Sequence, residues 1–261
     1  MQNVSFQDVL DLDFDPPNVG IEHSAGDPKI PRGELWRPEQ DRRRGLIVLI
    51  HGGCWQSAYG IDHIRPLATV LRQYYFAVYA VGYRRLGDPG GGWPGTFEDV
   101  AGAIDAGAQY HRRGEPLIFM GYSAGGHLAL WAAARSRLPS SSRFYSTRMK
   151  PNATLSLAGI VDLARYAEGE SSCERSAATL MGGSAAEQPA RYAEANPVQI
   201  GLDGAHFLQG ANDGIVPPTH LAGIEGIADR VETVEGAGHF DFIHPRTPAF
   251  HRIVRWLASV A

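Results

Sequence analysis

The chain has 261 residues, of which 44% are hydrophobic and 20% are charged, and its formal net charge is −4. This composition is typical of a globular protein that is long enough for one large core. The chain has no surplus of basic residues to neutralise phosphates, and no apolar run reaches the roughly 18 residues that a membrane span needs. We therefore expect neither nucleic acid nor a membrane as a partner.

Short apolar runs along the chain predict strands, and segments of helical spacing lie between them. The predicted strands are Leu46–Ile50, Phe76–Val81, Leu117–Met120, Thr154–Ala158, Ala205–Gln209 and Val231–Glu235. The predicted helices are Ile61–Gln73, Thr96–His111, Ala124–Arg137, Thr219–Ala228 and Pro248–Val260. This alternation implies a mainly parallel sheet flanked by helices, to which the residues before Trp36 are expected to add an antiparallel edge. The predicted fold class is therefore α/β, with a single domain over residues 1–261.

Residues 162–200 interrupt this alternation. The segment is long, polar and rich in alanine, and it contains Gly182, Gly183 and Pro189. A structureless loop of such length is unusual in a compact domain. We therefore expect short helices here, which form a small lid over the carboxyl edge of the sheet.

The two cysteines, Cys54 and Cys173, lie far apart in the sequence and lack the spacing of a metal site. A single bridge between them is left open, but reduced thiols and a cytoplasmic location are the favoured interpretation. Residues 1–10 agree with this interpretation, because they do not show the basic start and apolar run of a signal peptide.

A serine between two glycines lies at the junction of the third predicted strand and the helix after it. The segment is Gly121-Tyr-Ser-Ala-Gly125, with Ser123 at its centre. On such a turn the serine hydroxyl is exposed above the sheet, and the glycines relieve the crowding of the backbone. The start of the helix also offers free backbone N–H groups to an anion. Ser123 is therefore the candidate nucleophile.

A serine nucleophile needs a base, and the base needs a group that orients it. Asp213 follows the fifth predicted strand and His239 follows the sixth, so both lie at the same edge of a parallel sheet as Ser123. We predict that His239 accepts the proton of Ser123 and that Asp213 orients His239. His244 is the alternative base, and Asp241 is the alternative acid.

The first buried strand is followed by a glycine-rich loop, His51-Gly-Gly-Cys-Trp55. Acyl transfer passes through an oxyanion, and paired glycines let backbone N–H groups approach it. We predict that the N–H groups of Gly53, Cys54 and Ala124 form the oxyanion hole. His51 is expected to brace the loop, and the Cys54 side chain is expected to be a small filler rather than a reactive thiol.

Two aromatic residues, Trp55 and Tyr122, flank the predicted oxyanion donors and the nucleophile in the sequence. Aromatic side chains at such positions offer faces on which a substrate ring can stack. We therefore predict that Trp55 and Tyr122 bind substrate.

Three motifs within residues 51–244 carry a family resemblance: His-Gly-Gly-x-Trp, Gly-Tyr-Ser-Ala-Gly-Gly and Gly-His-Phe-Asp-Phe. Together they resemble the kynurenine formamidase (arylformamidase) branch of the α/β-hydrolases and the neighbouring hormone-sensitive-lipase-like esterases. The resemblance implies the α/β-hydrolase fold, with the triad and the oxyanion loop at the positions given above. The chain departs from that family at Cys54, where an aromatic residue is common, and at Gly82, where glutamate is common.

These observations predict a serine hydrolase that cleaves a small carboxylic ester or an arylformamide through an acyl-serine intermediate. Its partner is a small-molecule substrate, and it is expected to need neither a metal nor an organic cofactor. Two alternatives stay open: a general carboxylesterase, and a non-catalytic binding protein on a hydrolase scaffold. The oligomeric state is also open, with a homodimer as one alternative.

Overall fold

The computed structural model describes residues 3–21, 33–39, 42–224 and 226–260. The strands in these ranges are β1 (Val19–Ile21), β2 (Gly33–Trp36), β3 (Gly45–Ile50), β4 (Phe76–Val81), β5 (Leu117–Tyr122), β6 (Ala153–Leu157), β7 (Ala205–Gly210) and β8 (Arg230–Val234). The α-helices are α1 (Phe6–Leu10), α2 (Arg65–Gln73), α3 (Gly95–Gly107), α4 (Ala124–Ala134), α5 (Leu163–Tyr166), α6 (Ser172–Met181), α7 (Pro189–Ala195), α8 (Pro197–Ile200) and α9 (Pro248–Val260). Short 3₁₀ helices include Ile61–Ile64, Pro218–Leu221 and Phe240–Ile243.

The strands form one sheet in the order β1-β2-β4-β3-β5-β6-β7-β8. β1 and β2 are antiparallel, β2 is also antiparallel to β4, and every pair from β4 to β8 is parallel. The central strands β3, β4 and β5 are buried at every residue, which explains why they read as continuous apolar runs. The predicted α/β class, the parallel sheet and its antiparallel edge are confirmed.

Alternate side chains of the central strands belong to two core layers, one on each face of the sheet. Leu46 and Val48 pack in the layer that includes α3, α4 and the lid helices, whereas Ile47 and Leu49 pack in the layer that includes α2 and α9. Complete burial of such a side chain is worth about 1.5–3 kcal/mol. No helix within the described ranges has both the length and the apolar character that crossing a bilayer requires.

Residues 162–200 fold into four short helices, α5 to α8. The longest of them, α6, begins with a capping box in which Ser171 and Glu174 satisfy each other's backbone N–H groups. It ends at Gly182, whose φ of 73° is the left-handed conformation that glycine adopts without strain. The predicted lid segment therefore consists of four short helices that pack against the sheet through one of its core layers.

One local prediction is wrong, and one helix was not predicted. The described residues of the segment 219–228 do not form an α-helix, because the chain leaves the 3₁₀ helix Pro218–Leu221 for turns, and Gly223 has a φ of 91°. A positive φ ends a right-handed helix. At the other end of the chain, the helix α1 is not among the predicted elements, although Ser5 and Asp8 form a capping box. One and a half turns are too short to give a visible hydrophobic period.

Cys54 and Cys173 form a disulfide, with their Cα atoms 5.1 Å apart. The expectation of two reduced thiols is therefore wrong, and so is the reading of Cys54 as an unbonded filler. The bridge is possible because α6 lies beside the loop after β3, a juxtaposition of residues 119 positions apart that a sequence does not show. Disulfides are rare in the cytosol, so the prediction of a cytoplasmic location loses the support that it took from reduced cysteines.

Candidate active site

Ser123 lies on the turn between β5 and α4, in a strained backbone conformation with φ 55° and ψ −123°. Glycine is required on both sides of the turn. A Cβ atom on Gly121 would overlap the carbonyl oxygen of Gly125, and a Cβ atom on Gly125 would overlap the carbonyl oxygen of Ile50. The backbone N–H of Ser123 donates to Leu157 O at 2.9 Å, which ties the turn to β6. This geometry is that of a nucleophile elbow.

Asp213 and His239 form a buried hydrogen-bonded pair at the same edge of the sheet. His239 Nδ1 lies 2.7 Å from Asp213 Oδ2, and the side chains are 5% and 0% exposed. With Nδ1 bonded to the carboxylate, Nε2 is the ring nitrogen that remains to accept a proton from the nucleophile.

The Asp213 carboxylate is held on both oxygens. Oδ1 accepts from the backbone N–H groups of Ile215 and Val216, each at 2.9 Å, and Oδ2 also accepts from Gln209 Nε2 at 2.9 Å. Together with His239, these contacts provide four donors around one carboxylate. They hold the carboxylate in place and prevent its rotation.

Ser123 and His239 line one small cavity of about 140 Å³. Its walls are mostly aromatic or apolar, and the residues that line it are Phe6, Gly53, Cys54, Tyr59, His63, Tyr122, Ser123, Ile215, His239 and Phe240. The structure therefore brings the predicted nucleophile, base, loop donors and Tyr122 to one place. Within the described ranges, no cluster of His, Cys, Asp or Glu is arranged to hold a metal ion.

The loop after β3 has an unusual backbone. Gly53, Cys54 and Trp55 have φ values of 100°, 51° and 56°, so three consecutive residues are left-handed. Tyr83 supports the start of the loop. Its Oη donates to His51 O at 2.9 Å, and its ring stacks on the His51 ring with centroids 4.3 Å apart. Burial holds the pKa of His51 well below its ordinary value, which favours a neutral brace over a catalytic acid.

The third predicted donor, the N–H of Ala124, belongs to the first residue of α4. The first N–H groups of a helix have no partner inside it, so they are free to bind an anion. Gly53 and Cys54 line the cavity from the loop after β3, and Ala124 directly follows Ser123, which also lines it. That the three N–H groups bind one oxyanion stays a prediction.

Trp55 does not line the cavity, and the prediction that it binds substrate is wrong. Its side chain is fully buried, and its ring packs edge-to-face against His127 with centroids 5.5 Å apart. The left-handed backbone at Trp55 accompanies this inward position, which makes the indole part of the core that includes α3 and α4.

Phe6 and His63 are cavity residues that the sequence did not indicate. Phe6 closes the cavity from α1, and its ring lies 5.5 Å from Tyr59, 5.7 Å from His63 and 5.5 Å from Phe240. A capping box at Ser5 is a signal for the helix, but no sequence pattern connects that helix to the loops around Ser123.

The alternative base and acid lie outside this arrangement. His244 is half-buried, and its Nδ1 accepts from Arg246 N at 3.3 Å. The Asp241 carboxylate accepts from Gly238 N at 3.0 Å and from Val4 N at 3.3 Å. Asp241 therefore supports the loop that carries His239, whereas Asp213 bonds the imidazole itself.

Buried histidines make the stability of the folded protein depend on pH. Burial lowers the pKa of His63, His127 and His220 to about 4 in each case. A histidine with a lowered pKa in the folded state binds a proton more readily when the chain unfolds. Its contribution to stability is therefore present above about pH 6.5 and is lost as the pH falls towards 4.

We expect the free energy of unfolding to fall by several kcal/mol between pH 7 and pH 5, at roughly 1–2 kcal/mol for each of the three histidines. Urea titrations followed by circular dichroism at pH 7, 6 and 5 measure this free energy of unfolding. His220→Gln is the matched control, because His220 Nε2 accepts from Val161 N at 3.1 Å and the glutamine oxygen keeps that role without titrating. Its pH dependence should be shallower than that of the wild type. A free energy that stays constant from pH 7 to 5 contradicts the prediction.

Comparison with known proteins identifies the chain's relatives. A bifunctional GH43-CE protein of Bacteroides eggerthii is similar at 22% identity and a TM-score of 0.69, over 88% of this chain and 36% of that chain. A truncated carbohydrate esterase from gut microbiota is similar at 18% identity and a TM-score of 0.75, over 94% and 96%. Esterase B from Lactobacillus Rhamnosis is similar at 20% identity and a TM-score of 0.74, over 95% and 87%.

At these identities the likeness shows the fold, which is that of the α/β-hydrolases. No curated protein matches the sequence. The kynurenine formamidase branch that the motifs resemble is not confirmed, because the family model that matches is BD-FAE, over residues 34–225. Since this match covers well over half of the chain, the protein belongs to the BD-FAE family.

Proposed function

We propose that the protein is a carboxylesterase that hydrolyses esters of small acyl groups through an acyl enzyme on Ser123. One observation carries the proposal: the Asp213–His239 pair and the strained nucleophile elbow meet at a single small cavity. The BD-FAE match and the esterases among the structural neighbours support the same reaction. They favour a general carboxylesterase over an arylformamidase.

The geometry supports a two-step mechanism. Ser123 Oγ attacks the ester carbonyl carbon while His239 Nε2 takes its proton, and Asp213 stabilises the imidazolium that forms. The oxyanion accepts hydrogen bonds from the loop and from Ala124 N–H. As the intermediate collapses, the carbon–oxygen bond to the alcohol breaks and His239 returns the proton to the leaving alcohol. Water then attacks the acyl enzyme with the same base, which releases the carboxylic acid and restores Ser123.

The cavity limits the size of the acyl group. Its volume of about 140 Å³ is well below that of pockets for drug-sized ligands, and an apolar cavity of about 150 Å³ holds one benzene ring. The ring of Phe6 forms one wall and meets Tyr59 and Phe240. Acetyl to butyryl groups should therefore fit, and long acyl chains should not.

We expect kcat/KM for p-nitrophenyl acetate and butyrate to exceed that for the octanoate by about tenfold or more, because an acyl chain longer than the cavity must force its aromatic walls apart, and such overpacking costs about 1–3 kcal/mol. Phe6→Ala removes one wall and should raise the relative rate with octanoate. Phe14→Ala is its matched control, because Phe14 is an exposed phenylalanine outside the cavity. An acetylated sugar belongs in the same series, since one neighbour is a carbohydrate esterase. Absence of hydrolysis of every ester overturns the proposal.

N-formylkynurenine tests the narrower prediction of arylformamide cleavage in the same assay. A formyl group is smaller than the cavity, and His239 in its charged form can protonate a leaving aniline nitrogen. Ester turnover without deformylation removes the arylformamidase and leaves the general carboxylesterase. A folded protein that neither turns over esters nor reacts at Ser123 with a serine-directed phosphonate is instead a binding protein on a hydrolase scaffold.

A further inference from the structure

The disulfide joins a loop that lines the cavity to a helix of the lid that does not line it. Cys54 lies in the loop that provides oxyanion donors and lines the cavity. Cys173 lies in the first turn of α6, in the lid, and does not line that cavity. The bond therefore attaches a catalytic loop to a lid helix.

The loop needs such an attachment because of its backbone. Cys54 and Trp55 have side chains and yet adopt φ values of 51° and 56°. Residues held in such conformations are strained, and they persist only where their surroundings determine them. The disulfide acts directly on Cys54, at the centre of this strained segment.

A second contact connects the next part of the loop to the same helix. Gln56 Nε2 donates to Ser176 Oγ at 2.7 Å, and Ser176 lies three residues after Cys173, on the same face of α6. One face of one helix therefore holds two positions of the loop. The disulfide and the Gln56–Ser176 hydrogen bond both restrain the segment that presents the N–H groups of Gly53 and Cys54.

The helix α6 is a firm support for these ties. Its inner face is buried through Ala177 and Leu180, and its first turn is closed by a capping box. Leu180 O also accepts from the N–H of Trp93 at 2.7 Å, which fixes the far end of the helix to another loop. The loop is thus positioned from a helix that is itself anchored in the core.

We propose that the Cys54–Cys173 disulfide is a positioning element of the oxyanion hole, so that the oxidised enzyme turns over quickly and the reduced enzyme turns over slowly. The inference rests on the proposed esterase function. Reduction by a dithiol breaks the S–S bond and yields two thiols, while the dithiol is oxidised to its cyclic disulfide. The freed loop can then leave the left-handed conformation that directs its N–H groups at the oxyanion.

The effect should appear in kcat rather than in KM. Oxyanion donors act on charge that develops in the transition state, so their displacement leaves binding of the neutral ester largely unchanged. Loss of one such donor lowers kcat by about 10²–10³-fold. A donor that is loosened rather than removed should lower it by about 10–100-fold.

The test compares wild type before and after treatment with dithiothreitol, with p-nitrophenyl acetate as substrate and the disulfide followed by mass spectrometry of the Cys54 and Cys173 peptides. We expect reduction to lower kcat about 10–100-fold with little change in KM, and reoxidation to restore it. Cys173→Ala leaves the residues that line the cavity unchanged and should match the reduced wild type, with no response to dithiothreitol. Reduced wild type with an unchanged kcat, or Cys173→Ala as active as the oxidised enzyme, overturns the proposal.

Two further measurements keep this result separate from folding and from the proposed function. Circular dichroism tests whether the reduced enzyme and Cys173→Ala stay folded. If Cys173→Ala does not fold, the reversible change in kcat of the wild type on reduction and reoxidation tests the proposal. Hydrogen exchange of the peptide that covers residues 51–57 should quicken on reduction. If the oxidised protein hydrolyses no ester, the esterase proposal fails by itself, and exchange that is equal in the two states refutes the positioning of the loop.

Discussion

The Ser123→Ala enzyme should hydrolyse p-nitrophenyl acetate about 10⁴–10⁶-fold more slowly than the wild type in kcat. Alanine keeps the backbone of the elbow but removes the oxygen that is proposed to attack the ester, so no acyl enzyme can form on this residue. The substitution should not unfold the protein, because the strain at φ 55° is borne by the backbone and its tie to Leu157 O. Initial rates over a wide range of enzyme concentration measure the loss.

Ser156→Ala is the matched control for this experiment. Ser156 is a buried serine on the neighbouring strand β6, and its Oγ has no hydrogen-bond partner among the described residues, so its removal should change the rate by less than a few-fold. A fluorophosphonate probe should label wild type on the peptide that contains Ser123 and should not label Ser123→Ala. Labelling of another serine in the wild type, or an active Ser123→Ala enzyme, would show that the nucleophile lies elsewhere.

The placement of Ser123, Asp213 and His239 at one edge of the sheet could be predicted from the pattern of strands. β3, β4 and β5 are buried at every residue, so their apolar runs are unbroken and their ends are clear. In a parallel sheet all carboxyl ends meet at one edge, which places Ser123, Asp213 and His239 together without any knowledge of side-chain contacts. The structure adds the 2.7 Å contact between His239 Nδ1 and Asp213 Oδ2 and the cavity that Ser123 and His239 share.

The parts that could not be predicted depend on contacts between distant segments. Phe6 reaches the cavity because α1 packs beside the 3₁₀ helix Phe240–Ile243, where Val4 N donates to the Asp241 carboxylate at 3.3 Å. The disulfide likewise joins positions 119 residues apart. Neither contact leaves a local pattern in the sequence, because a short helix and a single cysteine show no hydrophobic periodicity.

Trp55 shows a different limit. Gly53, two residues earlier, adopts a left-handed φ without strain, whereas Cys54 and Trp55 adopt one although they carry side chains. A position in a loop does not reveal which way such a side chain points. An aromatic residue beside a catalytic motif can therefore belong to the core, as Trp55 does, while Tyr59 and Phe240 form the wall of the cavity.

Asp213→Asn should lower kcat/KM for p-nitrophenyl acetate by about 10⁴-fold, although it changes one atom. The two backbone N–H groups of Ile215 and Val216 donate to Oδ1, so the asparagine oxygen must occupy that place. Its NH₂ group then faces His239 Nδ1 and the amide of Gln209. A donor at this point forces Nδ1 to accept, which moves the imidazole proton to Nε2.

An imidazole protonated on Nε2 cannot take the proton of Ser123, so the nucleophile is present but not activated. Asp241→Asn is the matched control, because its carboxylate accepts from Gly238 N and Val4 N and an asparagine oxygen can still accept. We expect it to retain activity within about tenfold of wild type, since it does not orient the base directly. If the Asp241 variant loses about as much activity as the Asp213 variant is expected to lose, or if Asp213→Asn stays near wild type, then Asp241 and not Asp213 orients the histidine.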